Sequence, residues 1–155
     1  MENWYIAEVH NRREAVVAYT LTCLDIKPFL PLILRAERVS NRTRQKEITA
    51  APSLPGYVFF STFRERVPDV NAIRDVKAIV SEGPGLYVTV PARQMLPFID
   101  AHDRWHMEAR EAFRRGRGLP GSGPRPKFQA MTKEVLAEYM RTHFRSGADD
   151  LAEVA

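Results

Sequence analysis

His102 and His106, four residues apart, are the residues whose types and spacing come nearest to a reactive or metal-binding constellation. On a helix that spacing sets both imidazoles on one face, where they could share a zinc ion, with Glu108 and Glu111 in the same segment. A zinc site needs at least a third protein ligand, and the sequence places none. A packed or surface histidine pair is therefore the expectation. Cys23 is the only cysteine, which excludes an internal disulfide and a multi-thiolate zinc site. Asp149 and Asp150 fall in a terminal stretch where solvated carboxylates are ordinary. No G-x-S-x-G, P-loop, G-x-G-x-x-G or H-E-x-x-H pattern occurs. Enzyme chemistry, a cofactor and a small-molecule substrate are not expected.

The chain that carries these residues has 155 residues, 45% of them hydrophobic, and a formal net charge of +4. That length suits one compact domain with an appendage, and the charge allows an acidic partner such as nucleic acid without requiring one. No apolar run approaches the roughly 20 residues that span a bilayer, and the start of the chain has no signal-peptide pattern. A cytoplasmic protein with no membrane partner is expected.

Trp4 to Val9, WYIAEV, predicts a buried first strand. Asn11 followed by Glu14 has the spacing of a capping box, so a helix is predicted from about Arg12 to Leu24. Val16, Val17, Tyr19, Leu21 and Leu24 would form its apolar surface. Pro28 and Pro31 force KPFLPLIL into an extended edge position. LRAERV, SNRT and RQKEIT predict a hairpin, with a surplus of three positive charges between Arg35 and Glu47. LPGYVFF predicts a Pro-Gly turn entering a strand from Tyr57 to about Phe63, with Leu54 and Tyr57 as large apolar groups at its exposed edge. Val70, Ile73 and Val76 predict a helix capped by Asp69, and VKAIVSEG and LYVTV predict two short strands around Gly83-Pro84-Gly85. A helix then starts at Ala92 or restarts at Pro97, bearing Met95, Ile99, His102, His106, Ala109 and Phe113, and runs to about Arg115. The order suits an α+β fold with one antiparallel sheet and helices packed on it.

After that helix, Gly116 to Pro126 reads as a flexible Gly/Pro linker, and Thr132 opens a final amphipathic helix to about Phe144 within a 127–155 tail. Between Arg104 and Arg145 ten Lys or Arg face four Glu, so this region is basic as well. Basic surfaces of this kind can contact phosphates without reading sequence, though plain solvation yields the same composition.

Taken in order, WYIAEVHNRRE, KPFLPLI, the basic hairpin, LPGYVFFS and VNAIRDVKAIVSEG resemble the N-terminal domain of the NusG family of transcription elongation factors. The resemblance covers Trp4 to about Asp100, which divides the chain into a domain at 1–100, a continuation of the third helix at 101–115, the linker and the tail. Several pieces look closer to the specialised paralogue RfaH than to general NusG. What the resemblance implies is a central antiparallel sheet flanked by helices, docked on the clamp helices of the largest catalytic subunit of RNA polymerase. Carried over by position, Trp4, Leu54, Pro55, Gly56, Tyr57, Phe59 and Ile99 would form the polymerase-binding patch. His10, Arg12, Arg13, Arg42, Arg44 and Lys46 would face the non-template DNA or nascent RNA. Two departures stand out: Val67, Pro68 and Asp69 occupy the place of the His-Thr-Thr cluster of RfaH-like proteins, and no C-terminal KOW barrel is expected after Asp100. The function implied is an elongation or antitermination factor; a basic nucleic-acid-binding module acting without polymerase is the alternative.

Overall fold

The computed structural model describes residues 2–38, 42 and 45–119. The predicted final helix, the linker beyond Leu119 and Arg44 lie outside the described residues. β1 (Asn3–Val9) leads through a tight turn to α1 (Glu14–Cys23), followed by β2 (Lys27–Phe29). β3 (Leu32–Arg38) and β4 (Lys46–Pro52) form the basic hairpin, and β5 (Tyr57–Thr62) follows the Pro-Gly turn. A 3-10 turn at Arg64–Arg66, α2 (Val67–Asn71), β6 (Val76–Ile79) and the long α3 (Ala92–Arg114) complete the α+β fold.

The main sheet is antiparallel, in the order β2-β5-β1-β6, and the hairpin is a separate two-stranded sheet. Pro28 lies in β2, an edge strand, where its missing N–H interrupts no ladder. β1 and β5 are central, and their apolar residues divide by alternation between two cores. Trp4, Ile6 and Phe59 join Phe29, Leu54, Val80, Val88, Val90 and Met95 on one face. Tyr5, Ala7, Val9, Val58 and Phe60 join Val17 and Leu21 of α1 and Val67 and Val70 of α2 on the other. Both faces of the sheet are thus covered, which is why WYIAEV and YVFF are continuous apolar runs rather than alternating ones.

Four local predictions change. Arg13, not Asn11, precedes α1, and no side chain caps the helix. Arg12 instead takes a left-handed φ of 64° and the turn closes through Arg13 N–H on the His10 carbonyl at 3.0 Å. Of the predicted α1 stripe only Val17 and Leu21 are buried, because one face of this ten-residue helix meets the sheet; Val16, Tyr19 and Leu24 are exposed. α2 starts earlier than Asp69 and ends sooner, with Pro68 in its first turn and Asp69 beside Arg66 at 3.8 Å, while Val76 belongs to β6. LYVTV forms only isolated bridges, Ser81 to Tyr87 and Trp4 to Val90. α3 begins directly at Ala92 and contains Pro97 in its second turn, where one helical hydrogen bond is forgone. Among the described residues no helix is long and apolar enough to cross a membrane.

Candidate functional site

At the entry to β5, the Tyr57 N–H donates to the Leu54 carbonyl at 3.2 Å and Gly56 has a φ of +90°. Proline second and a left-handed glycine third make this a type II turn. A Cβ on Gly56 would have room, its nearest neighbour being the Val9 carbonyl oxygen at 3.9 Å, so conformation rather than space demands glycine. The Gly56 peptide is held from both sides. Its N–H donates to Glu14 Oε1 at 2.9 Å, and its carbonyl accepts from the Val9 N–H at 2.8 Å. Glu14, placed by the first residue of α1, is only 3% exposed.

This geometry narrows the predicted apolar patch. Leu54 is 2% exposed, not an edge residue open to solvent, and Trp4 and Phe59 are buried beside it in the same cluster as Met95 of α3. The turn directs Leu54 inward, and α3 covers that face of the sheet. Tyr57 and Ile99 pack on the rim of this cluster and stay partly exposed, next to an exposed Pro55. Of the predicted patch, Pro55, Gly56, Tyr57 and Ile99 remain accessible, with Trp4, Leu54 and Phe59 buried beneath them.

The cationic residues gather on two elements. His10, Arg12 and Arg13 form the exposed turn between β1 and α1, with the Arg13 guanidinium 3.7 Å from Asp75 and the His10 N–H on the Asp75 carbonyl at 2.9 Å. The turn is bracketed by Val9 and Glu14, both bonded to Gly56, so it adjoins the Pro-Gly turn. The hairpin leaves the sheet immediately before that turn, its base fixed by the Ser53 N–H on the Pro31 carbonyl at 2.9 Å. Its register sets Arg38 opposite Lys46 and Glu37 opposite Glu47. Successive residues of a strand point to opposite faces, so the far end of the hairpin has one cationic and one anionic side. Like charges directly opposed are destabilising, and an anion laid across Arg38 and Lys46 would relieve one such pair. Arg38 is not among the predicted nucleic-acid-facing residues, and its place opposite Lys46 shows only in the strand register. Arg42 is exposed in the connecting turn.

A family model described as transcription termination factor NusG matches residues 2–99. The chain belongs to the NusG family. NusG proteins are transcription factors that interact with RNA polymerase. A solved NusG of Thermotoga maritima, from a structure on domain interaction, aligns at 25% identity with a TM-score of 0.40 over 61% of this chain and 54% of that one. The chain thus spans about half the length of that NusG. No curated protein matches the chain.

The NusG match ends near Ile99, and α3 continues past it with the histidine pair. The Leu32 N–H donates to His102 Nε2 at 3.0 Å, and His106 Nε2 donates to the Leu32 carbonyl at 2.7 Å. His102 therefore carries its proton on Nδ1, 3.0 Å from Asp103 Oδ1. The rings lie 4.1 Å apart, and Phe29 meets His102 edge-on at 5.1 Å. Burial pulls the His106 pKa below its ordinary value, helped by His102 and Arg110 and opposed by the Leu32 carbonyl and Asp103. Both Nε2 atoms are committed to Leu32 at the hairpin base, one to its N–H and one to its carbonyl. Among the described residues no group of three or more His, Cys, Asp or Glu could hold a metal ion. The pair fastens the hairpin to α3, a role its spacing alone could not show because the partner lies 70 residues away.

Proposed function

We propose that the chain binds the clamp helices of RNA polymerase through Pro55, Gly56, Tyr57 and Ile99, lays its basic hairpin and the His10–Arg13 turn along the upstream non-template DNA, and promotes processive, antiterminating elongation. The observation that carries this reading is a half-exposed apolar rim within the segment matched to NusG, flanked by two cationic elements that leave the fold next to it. Trp4, Leu54 and Phe59 act from beneath, as the packed base that holds the rim in shape. Arg12, Arg38, Arg42 and Lys46 supply the phosphate-facing charge, and Arg13, beside Asp75, anchors its turn. Occupying the clamp would exclude a resident NusG. A preference of only about 1.4 kcal/mol for the elongating over the paused polymerase shifts that balance tenfold. The predicted linker and final helix would add a second tether whose effective concentration the linker raises.

Multi-round transcription by bacterial RNA polymerase through an intrinsic and a Rho-dependent terminator tests this, with the protein and its Tyr57→Ala/Ile99→Ala variant. Increased read-through with the protein and none with the variant is expected. Unchanged read-through together with no co-elution with polymerase refutes it. Salt-steep binding to bare DNA that Tyr57→Ala leaves intact, without any polymerase effect, would mark a stand-alone nucleic-acid-binding module.

A further inference from the structure

Gly56 is the backbone position at which the two proposed binding elements meet. The His10–Arg13 turn has Val9 at one end and Glu14 at the other, and both bond to the same glycine: Val9 N–H to its carbonyl at 2.8 Å, Glu14 Oε1 to its N–H at 2.9 Å. Within the bracket Arg12 holds a φ of 64°, a conformation that costs a non-glycine residue energy and persists only where the surroundings fix it. Asp75 supplies a third fixation, through the His10 N–H and the Arg13 guanidinium, but it leads to β6 and not to the docking turn. The β1–β5 ladder, with Glu8 opposite Tyr57, joins the end of β1 to the docking turn, and Gly56 adds the one link made by a side chain of α1, through Glu14.

We propose that Glu14 is a positioning residue that couples the two surfaces: its buried carboxylate, holding the Gly56 N–H, makes the Pro-Gly turn and the arginine turn order together. The inference rests on the proposed function. A partner pressed on Pro55 to Tyr57 immobilises the Gly56 peptide, which holds Glu14, which keeps Arg12 in its presented conformation. Nucleic acid on Arg12 acts in the reverse direction with the same coupling factor, as linkage requires. A charge-assisted bond to a backbone amide is strong enough to transmit such a bias. Glutamate suits the task because its carboxylate can only accept, so it cannot turn a donor toward the Gly56 N–H.

The test follows backbone amides by NMR in the full chain while a single-stranded DNA octamer is added. In the wild type the His10, Arg12 and Arg13 amides and the Gly56 and Tyr57 amides should shift with one common midpoint. In Glu14→Ala the Gly56 and Tyr57 response should disappear and the octamer should bind about tenfold more weakly. Glu14→Gln, whose side-chain oxygen can still accept from Gly56, should restore both to within about threefold of wild type. A merely structural glutamate would lower stability without separating the two sets of amides. A wild-type turn that responds while Gly56 and Tyr57 stay silent overturns the coupling and leaves DNA binding standing. No response at His10 to Arg13 overturns the coupling and the nucleic-acid part of the proposed function together. The wild-type titration decides the matter even if Glu14→Ala does not fold.

Discussion

Acid should loosen the hairpin before it unfolds the sheet. His102 accepts the Leu32 N–H through Nε2 at 3.0 Å and His106 Nε2 donates to the Leu32 carbonyl at 2.7 Å, so the pair pins the hairpin base to α3. His106 adds a definite sign. Burial lowers its pKa in the folded chain, so in the unfolded chain it takes up a proton first, near the ordinary value of about 6.5. Above that pH both states are neutral and stability does not change on this account; as pH falls below it the unfolded state binds more protons and stability drops. Removing the contact by His102→Ala gives a magnitude. One partly buried hydrogen bond and the edge-on packing against Phe29 are lost, about 2–3 kcal/mol in all. Two tryptophans report the outcome separately: Trp4 is buried in the core, and Trp105 meets His106 at 5.3 Å. Urea unfolding between pH 8 and 5, followed by fluorescence, should show stability level down to about 6.5 and falling below it, with Trp105 emission changing first in native buffer. His102→Ala should lower the plateau. Stability that is level across the range, or that rises on acidification, would refute the reasoning.

Three further outcomes are expected. Gly56→Ala should destabilise by about 1–2 kcal/mol through its +90° φ alone, since a methyl group has room, and thermal melting checks it. Leu54→Ala should cost about 3 kcal/mol in chemical unfolding, as for a core leucine, whereas Tyr57→Ala should cost less and show its effect in polymerase binding instead. Neutralising Arg38 and Lys46 as Arg38→Gln/Lys46→Gln should lower the slope of log affinity for single-stranded DNA against log salt by about 1.4, while Glu37→Gln/Glu47→Gln should not lower it.

Much of this fold is written locally. The bilateral burial of β1 and β5 shows in unbroken apolar runs, the edge position of β2 in Pro28, and the type II turn in the Pro-Gly order of Leu54 to Tyr57. Each depends on residues within a few positions of one another, where steric rules act directly. The helix starts were less legible. Asn11 and Glu14 have capping-box spacing, yet the carboxylate left its own helix for a glycine 42 residues away. A buried N–H that would otherwise be orphaned competes strongly for a carboxylate, and no local pattern announces the competitor.

The same separation explains the error at Leu54. Sequence shows a large apolar residue beside a turn, and such a residue is exposed or buried according to what crosses above it. Here the cover includes Met95 of α3, about 40 residues further along, and Leu54 changes from a surface contact into a support. The candidate site changes meaning with it. An apolar patch of seven fully exposed residues would be an aggregation hazard, whereas a rim of Tyr57 and Ile99 on a packed base would hold the proposed recognition groups rigid with little apolar area in solvent. Mutations in the base should therefore weaken a partner by softening the rim, and mutations in the rim by removing contacts. The first group should lower the melting temperature by clearly more than truncation of Tyr57 or Ile99 does.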